Sequence, residues 1–179
     1  DMINNFRKVF NIRTFKLKEN KGLGNALNFG LRKCNYNVVA RFDTDDISLR
    51  DRFKKQIEFI NCGWDLVSSS VIEYKKNLNN NKFSNLYVKS LSKKNIEITK
   101  EELILRNPIN HPSVMINVKK VINSGINYKS KMKKHQDFLL WRELKFNEEI
   151  NFKMIHIAEV TVIMRSNKLI KNRSSIKSL

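Results

Sequence analysis

An apolar run, Val38-Val39-Ala40-Arg41-Phe42, ends in three aspartates within four positions, Asp43, Asp45 and Asp46, and a helical pattern opens soon after at Asp51. A short continuous apolar segment of this kind reads as a strand buried on both faces. The carboxylates then lie just past the strand's carboxyl end, where the loops of an open α/β sheet frame a ligand crevice. Like charges held so close raise one another's pKa values, so the cluster calls for a cation. A hard divalent ion, Mn²⁺ or Mg²⁺, held by one or two carboxylates and the phosphates of a substrate, meets that need. The same residues fit a plainer arrangement, in which Asp46 or Ser48 caps the following helix and Asp43 and Asp45 stand in a solvated turn.

Around this stretch the periodicity alternates. Ile12, Phe15 and Leu17 suit a short strand closed by Glu19-Asn-Lys-Gly22. Leu23, Ala26, Leu27, Gly30 and Leu31 recur at helical spacing, which predicts a helix over 23–33. Phe53, Ile57 and Ile60 mark an amphipathic helix over 51–61, and a strand follows from Trp64 to about Tyr74. Residues 75–82 read as a surface loop, and Leu86–Leu91 fits either a strand or a helix. Thr99-Lys-Glu-Glu102 has the form of a capping box, and the helix it opens stops before Asn107-Pro-Ile-Asn-His-Pro112. Ser113–Val118 reads as a strand, Val121 and Ile122 as part of a short helix ended by Gly125, and His135–Lys145 as a stronger helix. Two more strands are expected over 152–157 and 160–164. Strands alternating with helices predict an α/β fold with a mixed sheet, one domain over 1–165 and a basic tail over 166–179.

The net charge of +18 raises the prospect of an anionic partner, yet the basic residues are spread along the chain, with local clusters only at Lys129-Ser-Lys-Met-Lys-Lys134 and from Lys168 to Lys177. Such runs are by default a solvated face. As a partner, an anionic membrane leaflet suits them better than nucleic acid does, because exposed aromatics interleaved with the cations and a recognisable docking helix are lacking. No secretory leader and no membrane-spanning run is read. Cys34 and Cys62 are expected to be buried thiols in a reducing compartment. The expected location is the cytoplasm, with peripheral contact at the inner face of the membrane.

Five segments, in this order, resemble the family 2 glycosyltransferases of the GT-A fold, the inverting enzymes of bacterial polysaccharide synthesis. They are Asn20-Lys-Gly-Leu-Gly-Asn-Ala-Leu-Asn28, Arg41-Phe-Asp-Thr-Asp-Asp-Ile47, Asp51-Arg-Phe-Lys-Lys-Gln56, Asn107-Pro-Ile-Asn-His-Pro-Ser-Val-Met115 and Gln136-Asp-Phe-Leu-Leu-Trp141. The resemblance implies a Rossmann-type mixed sheet flanked by helices. It implies transfer of a sugar from a nucleotide-sugar donor to a saccharide or lipid-linked acceptor, with a divalent cation as cofactor. It places the family's D-x-D element, the metal and diphosphate site, on Asp43, nearer the nucleotide ribose, and Asp45, the foremost metal ligand, with Asp46 in support. Asn20, Gly22, Asn25 and Arg41 are then expected around the nucleotide. The family's acidic pair falls on Gln136 and Asp137, with Asp137 the catalytic base and Gln136 standing where Glu is usual. The family also starts with a nucleotide-binding strand and an early aspartate that are not seen ahead of Asp1, so an N-terminally truncated domain is expected.

The chemistry agrees with these residues on its own terms. A departing diphosphate needs a Lewis acid, and an attacking hydroxyl needs a base on the opposite face of the sugar. Asp137 in the first turn of a helix is kept anionic by the helix dipole, although an acidic residue there is also simply favourable. His111 either faces the acceptor or diphosphate or packs as a turn residue, Gln136 is expected on the same acceptor or diphosphate side, and Trp141 and Trp64 either stack on a sugar or fill the core. A haloacid-dehalogenase-like phosphatase would also use Asp43-Thr-Asp45 after a buried strand, but its later lysine and acidic pair are not found.

Overall fold

A computed structural model describes residues 2–76 and 83–165. The elements run α1 (Met2–Arg7), α2 (Leu23–Lys33), β1 (Val38–Ala40), β2 (Ile47–Ser48), α3 (Arg52–Asn61), β3 (Leu66–Lys76), β4 (Phe83–Lys89), β5 (Ile96–Glu97), α4 (Lys100–Leu105), a 3₁₀ turn (His111–Ser113), β6 (Met115–Asn117), α5 (Val118–Asn123), α6 (Gln136–Phe146) and β7 (Met154–Arg165). The strands form one sheet in the order β1-β6-β3-β7-β2, with β4 added to β3 and β5 to β7. β3 and β7 pair in parallel and the other pairings are antiparallel, so the mixed sheet expected from the sequence is present.

Alternation along β3 divides the core. Leu66 and, beside it on β7, Met154 point into the larger cluster, which takes in Leu103 of α4, Val118 and Val121 of α5, Leu140, Trp141 and Leu144 of α6, and Leu27 and Leu31 of α2. Val67, Ile155 and Ile157 point to the other face and meet Phe59 and Ile60 of α3. Side chains one residue apart on a strand face opposite ways, so these two contact sets place α3 on one face and the other core helices on the other.

Several expectations give way to specific contacts. Residues 11–17 form no strand; they lie extended and exposed, with the Phe15 ring edge-on to Phe29 of α2 at 5.8 Å and Arg13 donating to the Lys33 carbonyl at 2.9 Å. α1 ahead of them carries no signal that the sequence made legible. β1 is half-buried and stands at one end of the strand order, so its apolar run is not covered on both faces. Leu86–Leu91 falls mainly in strand β4. The expected strand over 113–118 shrinks to β6, because Ser113 closes the 3₁₀ turn and Asn117 already caps α5 by accepting from the Lys120 amide. The two last strands are one, β7, whose register against β3 shifts between Ser69 and Val71, and that irregularity produces the break in its apolar pattern. Both cysteines are exposed, not buried. The basic tail over 166–179 and most of the expected loop over 75–82 lie outside the described residues.

Candidate active site

β1 runs parallel to β3, and β6 runs against both, so the carboxyl end of β1 and the entrance to β6 lie at the same end of the sheet. There the Arg41 amide donates to the Val114 carbonyl at 2.8 Å, which sets the carboxylate loop beside the 3₁₀ turn of His111–Ser113. The loop then crosses to the opposite end of the strand order, where β2 pairs Ile47 with Ile163 and Ser48 with Val162 of β7. It is a strap tied to both margins of the sheet.

Within the strap each aspartate has its own surroundings. Asp43 is held as a fork by Arg41, Nη1 to Oδ2 at 2.5 Å and Nη2 to Oδ1 at 2.6 Å. Asp45 is exposed and makes no ion pair or hydrogen bond among the described residues. Asp46 is 8% exposed; its Oδ1 accepts from the Arg165 amide at 3.0 Å, and its Oδ2 is buried without a partner. Burial pushes the Asp46 carboxyl above its ordinary pKa, and the charges of Asp43 and Asp45 add to the rise, against the Arg165 hydrogen bond and Arg41. The helix-cap reading fails for Asp46 and Ser48, since Asp51 is the N-cap residue of α3.

No three His, Cys, Asp or Glu side chains among the described residues form a ready metal cage. The donors nonetheless fit a hard ion that draws most of its ligands from phosphate and water. Asp45 offers a carboxylate with no competing partner, and Asp46 keeps a buried oxygen unspent directly behind it in the chain.

Beneath the strap lies a buried polar tie that the sequence showed only as Asp51-Arg-Phe-Lys-Lys-Gln56. Arg52, 1% exposed, donates from Nη2 to the carbonyls of Arg41 at 2.8 Å and Val114 at 3.3 Å, and from Nε to Gln56 Oε1 at 3.0 Å. Gln56 passes the link on, donating to the carbonyls of Ser113 at 2.6 Å and Val67 at 3.1 Å. Burial lowers the Arg52 pKa to about 10, with Arg41 adding to the fall and Asp46 opposing it. It remains a cation at neutral pH.

The second wall is built on Asn107–Ser113. Asn110 donates to the Ser69 carbonyl at 3.0 Å, and Ser113 Oγ accepts from the Ser69 amide at 3.0 Å, so the Ser68-Ser69-Ser70 run of β3 serves as a polar anchor inside the core. Asn107 Nδ2 donates to Asp137 Oδ2 at 3.1 Å, which fixes the carboxylate of the expected base at the start of α6. His111 Nε2 is hydrogen-bonded to the Tyr128 hydroxyl at 3.0 Å. Burial and the nearby Arg41 charge lower the His111 pKa to about 3, so it is a neutral imidazole and offers a diphosphate no positive charge. Burial raises the Tyr128 phenol above its ordinary pKa, with Arg41 lowering it and Asp137 raising it. Tyr128 therefore feels both the guanidinium bracketing Asp43 and the carboxylate of Asp137, and links the two sides of the site.

Two expected contacts are corrected. Trp141 is 0% exposed and cannot stack on a sugar; it packs edge-on beneath His111 and Tyr128, with ring centroids at 5.7 and 6.4 Å. Gln136 is buried and uses its Nε2 on the Met132 carbonyl at 2.6 Å, so it holds the preceding loop and does not face an acceptor. Asn20, Gly22 and Asn25 do come together at the entrance to α2. The Gly22 amide donates to Asn20 Oδ1 at 3.0 Å, Asn25 donates to the Lys21 carbonyl at 2.5 Å, and Gly22 has φ 86°, which favours glycine.

Residues 1–125 match the family model described as Glycosyl transferase family 2. The chain belongs to that family. The family 2 match begins at the first residue and ends short of Asp137, but relatives extend over the second wall. A UDP-Gal:alpha-D-GlcNAc-diphosphoundecaprenol beta-1,3-galactosyltransferase of Escherichia coli is 32% identical over 98% of this chain and 61% of its own length. An uncharacterized glycosyltransferase of Haemophilus influenzae is 33% identical over 80% of this chain and 51% of its own length. The amylovoran biosynthesis glycosyltransferase AmsE of Erwinia amylovora is 39% identical over 61% of this chain and 39% of its own. This family 2 chain thus spans between 39% and 61% of the length of these curated relatives. Among solved structures, S. aureus TarS 1-349 in complex with UDP superposes with a TM-score of 0.68 at 17% identity, over 92% of this chain and 46% of that 1-349 chain. The complex of TarS with UDP-GlcNAc gives 0.68 at 16% identity, over 94% and 46%. These likenesses establish the GT-A type of α/β fold and set aside the phosphatase reading.

Proposed function

We propose that the protein containing this chain is an inverting, divalent-cation-dependent glycosyltransferase of surface polysaccharide synthesis. It moves a sugar from a nucleoside-diphosphate sugar to a saccharide or lipid-linked acceptor. The observation that carries the reading is the pairing of two walls at one end of the sheet, the Arg41–Asp46 strap and the Asn107-bound carboxylate of Asp137, each tied to the same buried strand β3. The UDP and UDP-GlcNAc complexes of the structural neighbours support a nucleotide donor, and the acceptor printed for the Escherichia coli relative supports a lipid diphosphate. No described helix is long and apolar enough to cross a membrane. The charge of +18 suits peripheral contact with an anionic inner leaflet in the cytoplasm.

Asp45, with Asp46 behind it, would hold the cation, which supplies Lewis acidity toward the leaving diphosphate. Arg41 keeps Asp43 in one orientation for the ribose side of the donor. Asn20, Gly22 and Asn25 shape the loop expected beside the nucleotide. Asp137 Oδ1 is left to accept the proton of the acceptor hydroxyl while Oδ2 stays on Asn107. A deprotonating hydroxyl attacks the sugar from the face opposite the departing diphosphate, which inverts the anomeric centre. In the full-length protein, Mn²⁺ titration in the presence of UDP is expected to show binding that Asp45→Ala weakens at least tenfold. Equal binding by the two proteins overturns the assignment.

A further inference from the structure

The basic segment Lys129–Lys134 has no part in the reaction described so far. Its ends do. Tyr128 immediately before it is bonded to His111, and Asp137 follows three residues after Lys134, so the loop leaves the site and returns to it and forms part of its rim. It is held in place at three points. Asn28 of α2 clasps the Tyr128 backbone from both sides, accepting from its amide at 2.9 Å and donating to its carbonyl at 2.7 Å. Gly24 packs so close that a Cβ there would stand 3.1 Å from the Lys129 carbonyl oxygen and 3.2 Å from Ser130 Cα. Gln136 secures the Met132 carbonyl. Of the four lysines, Lys129 is paired with Glu143 at 2.8 Å; Lys131, Lys133 and Lys134 are exposed and have no acidic partner among the described residues. Met132, 38% exposed, stands among them.

We propose that Lys131, Lys133 and Lys134 grip the diphosphate of a lipid-diphosphate-linked acceptor and thereby set its sugar before Asp137. The proposal rests on the transfer reading above. Three mobile ammonium groups on a fixed backbone suit a diphosphate, which presents several anionic oxygens without a single planar geometry. The acceptor's diphosphate, and not the donor's, is the partner because the loop runs into the helix that carries the base, while the strap that faces the donor is built on β1 and β2. A bilayer headgroup alone would require no anchoring of the loop to both α2 and α6. The exposed Met132 gives the first carbons of the lipid an apolar contact.

The test uses the full-length protein in a neutral detergent, with two probes: an alkyl diphosphate-linked α-GlcNAc, and the same α-GlcNAc on an alkyl chain without diphosphate. Calorimetric titration is expected to show the wild type binding the diphosphate probe roughly 10- to 100-fold more tightly. The K131Q/K133Q/K134Q variant is expected to lose that preference while keeping its affinity for UDP and its melting temperature, and the corresponding triple arginine variant is expected to retain it. A preference that survives the glutamine substitutions overturns the proposal, as does a parallel loss of UDP affinity. An effect seen only when anionic vesicles are added assigns the loop to the bilayer and likewise overturns it. Because binding is read without turnover, a lysine-dependent preference in a protein that transfers no sugar supports the loop and refutes the transfer reading alone.

Discussion

Asp137 shows how a single side chain is made useful. Its position in the first turn of an eleven-residue helix favours the anion, and Asn107 holds one oxygen; the other is the one proposed above to take the proton. Asp137→Asn keeps the shape and removes the basic carboxylate that can take a proton. Turnover in the full-length protein is expected to fall by roughly 10² to 10⁴, with donor affinity unchanged, as measured by steady-state kinetics and UDP titration. Unchanged turnover would return the residue to a helix-start role. The aspartate cluster and His111 could be singled out in the sequence because carboxylates after an apolar run and a histidine between Asn110 and Pro112 are local signals, while the roles proposed for them rest on the experiments above. Tyr128 and the true task of Gln136 could not. A tyrosine after a turn looks like any other, and its bond to His111 spans seventeen residues that no periodicity connects.

At the level of elements, the strap and the 3₁₀ turn are kept in register by Arg52 and Gln56 of α3, which present hydrogen-bonding groups to four backbone carbonyls inside the protein. Gln56→Leu roughly preserves the volume but takes the amide donor from the Val67 and Ser113 carbonyls and the acceptor from Arg52 Nε. Each such buried group costs about 1–3 kcal/mol, so a loss of about 3 kcal/mol is expected in denaturant unfolding, larger than an exposed substitution on the same helix. A loss below about 1 kcal/mol would show that water replaces the amide. The helix itself was readable from Phe53, Ile57 and Ile60, but its functional face was not. Periodicity reports which residues are apolar, whereas here the buried positions within α3 are polar, and Phe53 is 55% exposed. The strand expected at 12–17 failed for the converse reason: Phe15 meets Phe29 of α2 and Arg13 bonds the end of that helix, so the apolar residues there have no neighbouring strand to pair with among the described residues.

For the molecule as a whole, two histidines, the part-buried His111 and the fully buried His156, make stability depend on pH. His111 has its pKa lowered to about 3, and His156, whose ring lies between Ser68 Oγ at 3.0 Å and Ser70 Oγ at 3.4 Å, to about 4; burial is the leading cause in both. Depressed folded-state values mean that the unfolded chain takes up protons near pH 6.5 that the native state refuses. Stability is therefore complete above that pH and falls on acidification toward pH 4, by at most about 1.4 kcal/mol per pH unit for each histidine. Unfolding midpoints at pH 7 and pH 5 check the sign, and His156→Asn is expected to flatten the difference. The strap adds a kinetic consequence. Because the Arg41 amide is bound at one margin of the sheet and the Leu49 and Arg165 amides at the other, a ligand seated on the loop closes both margins at once. A ligand that binds only the closed form lowers the population of opened forms at both places. Deuterium uptake at Arg41, Leu49 and Arg165 is thus expected to slow together when UDP and Mn²⁺ are added, although these amides sit at opposite ends of the strand order, while uptake along α4 stays as it was.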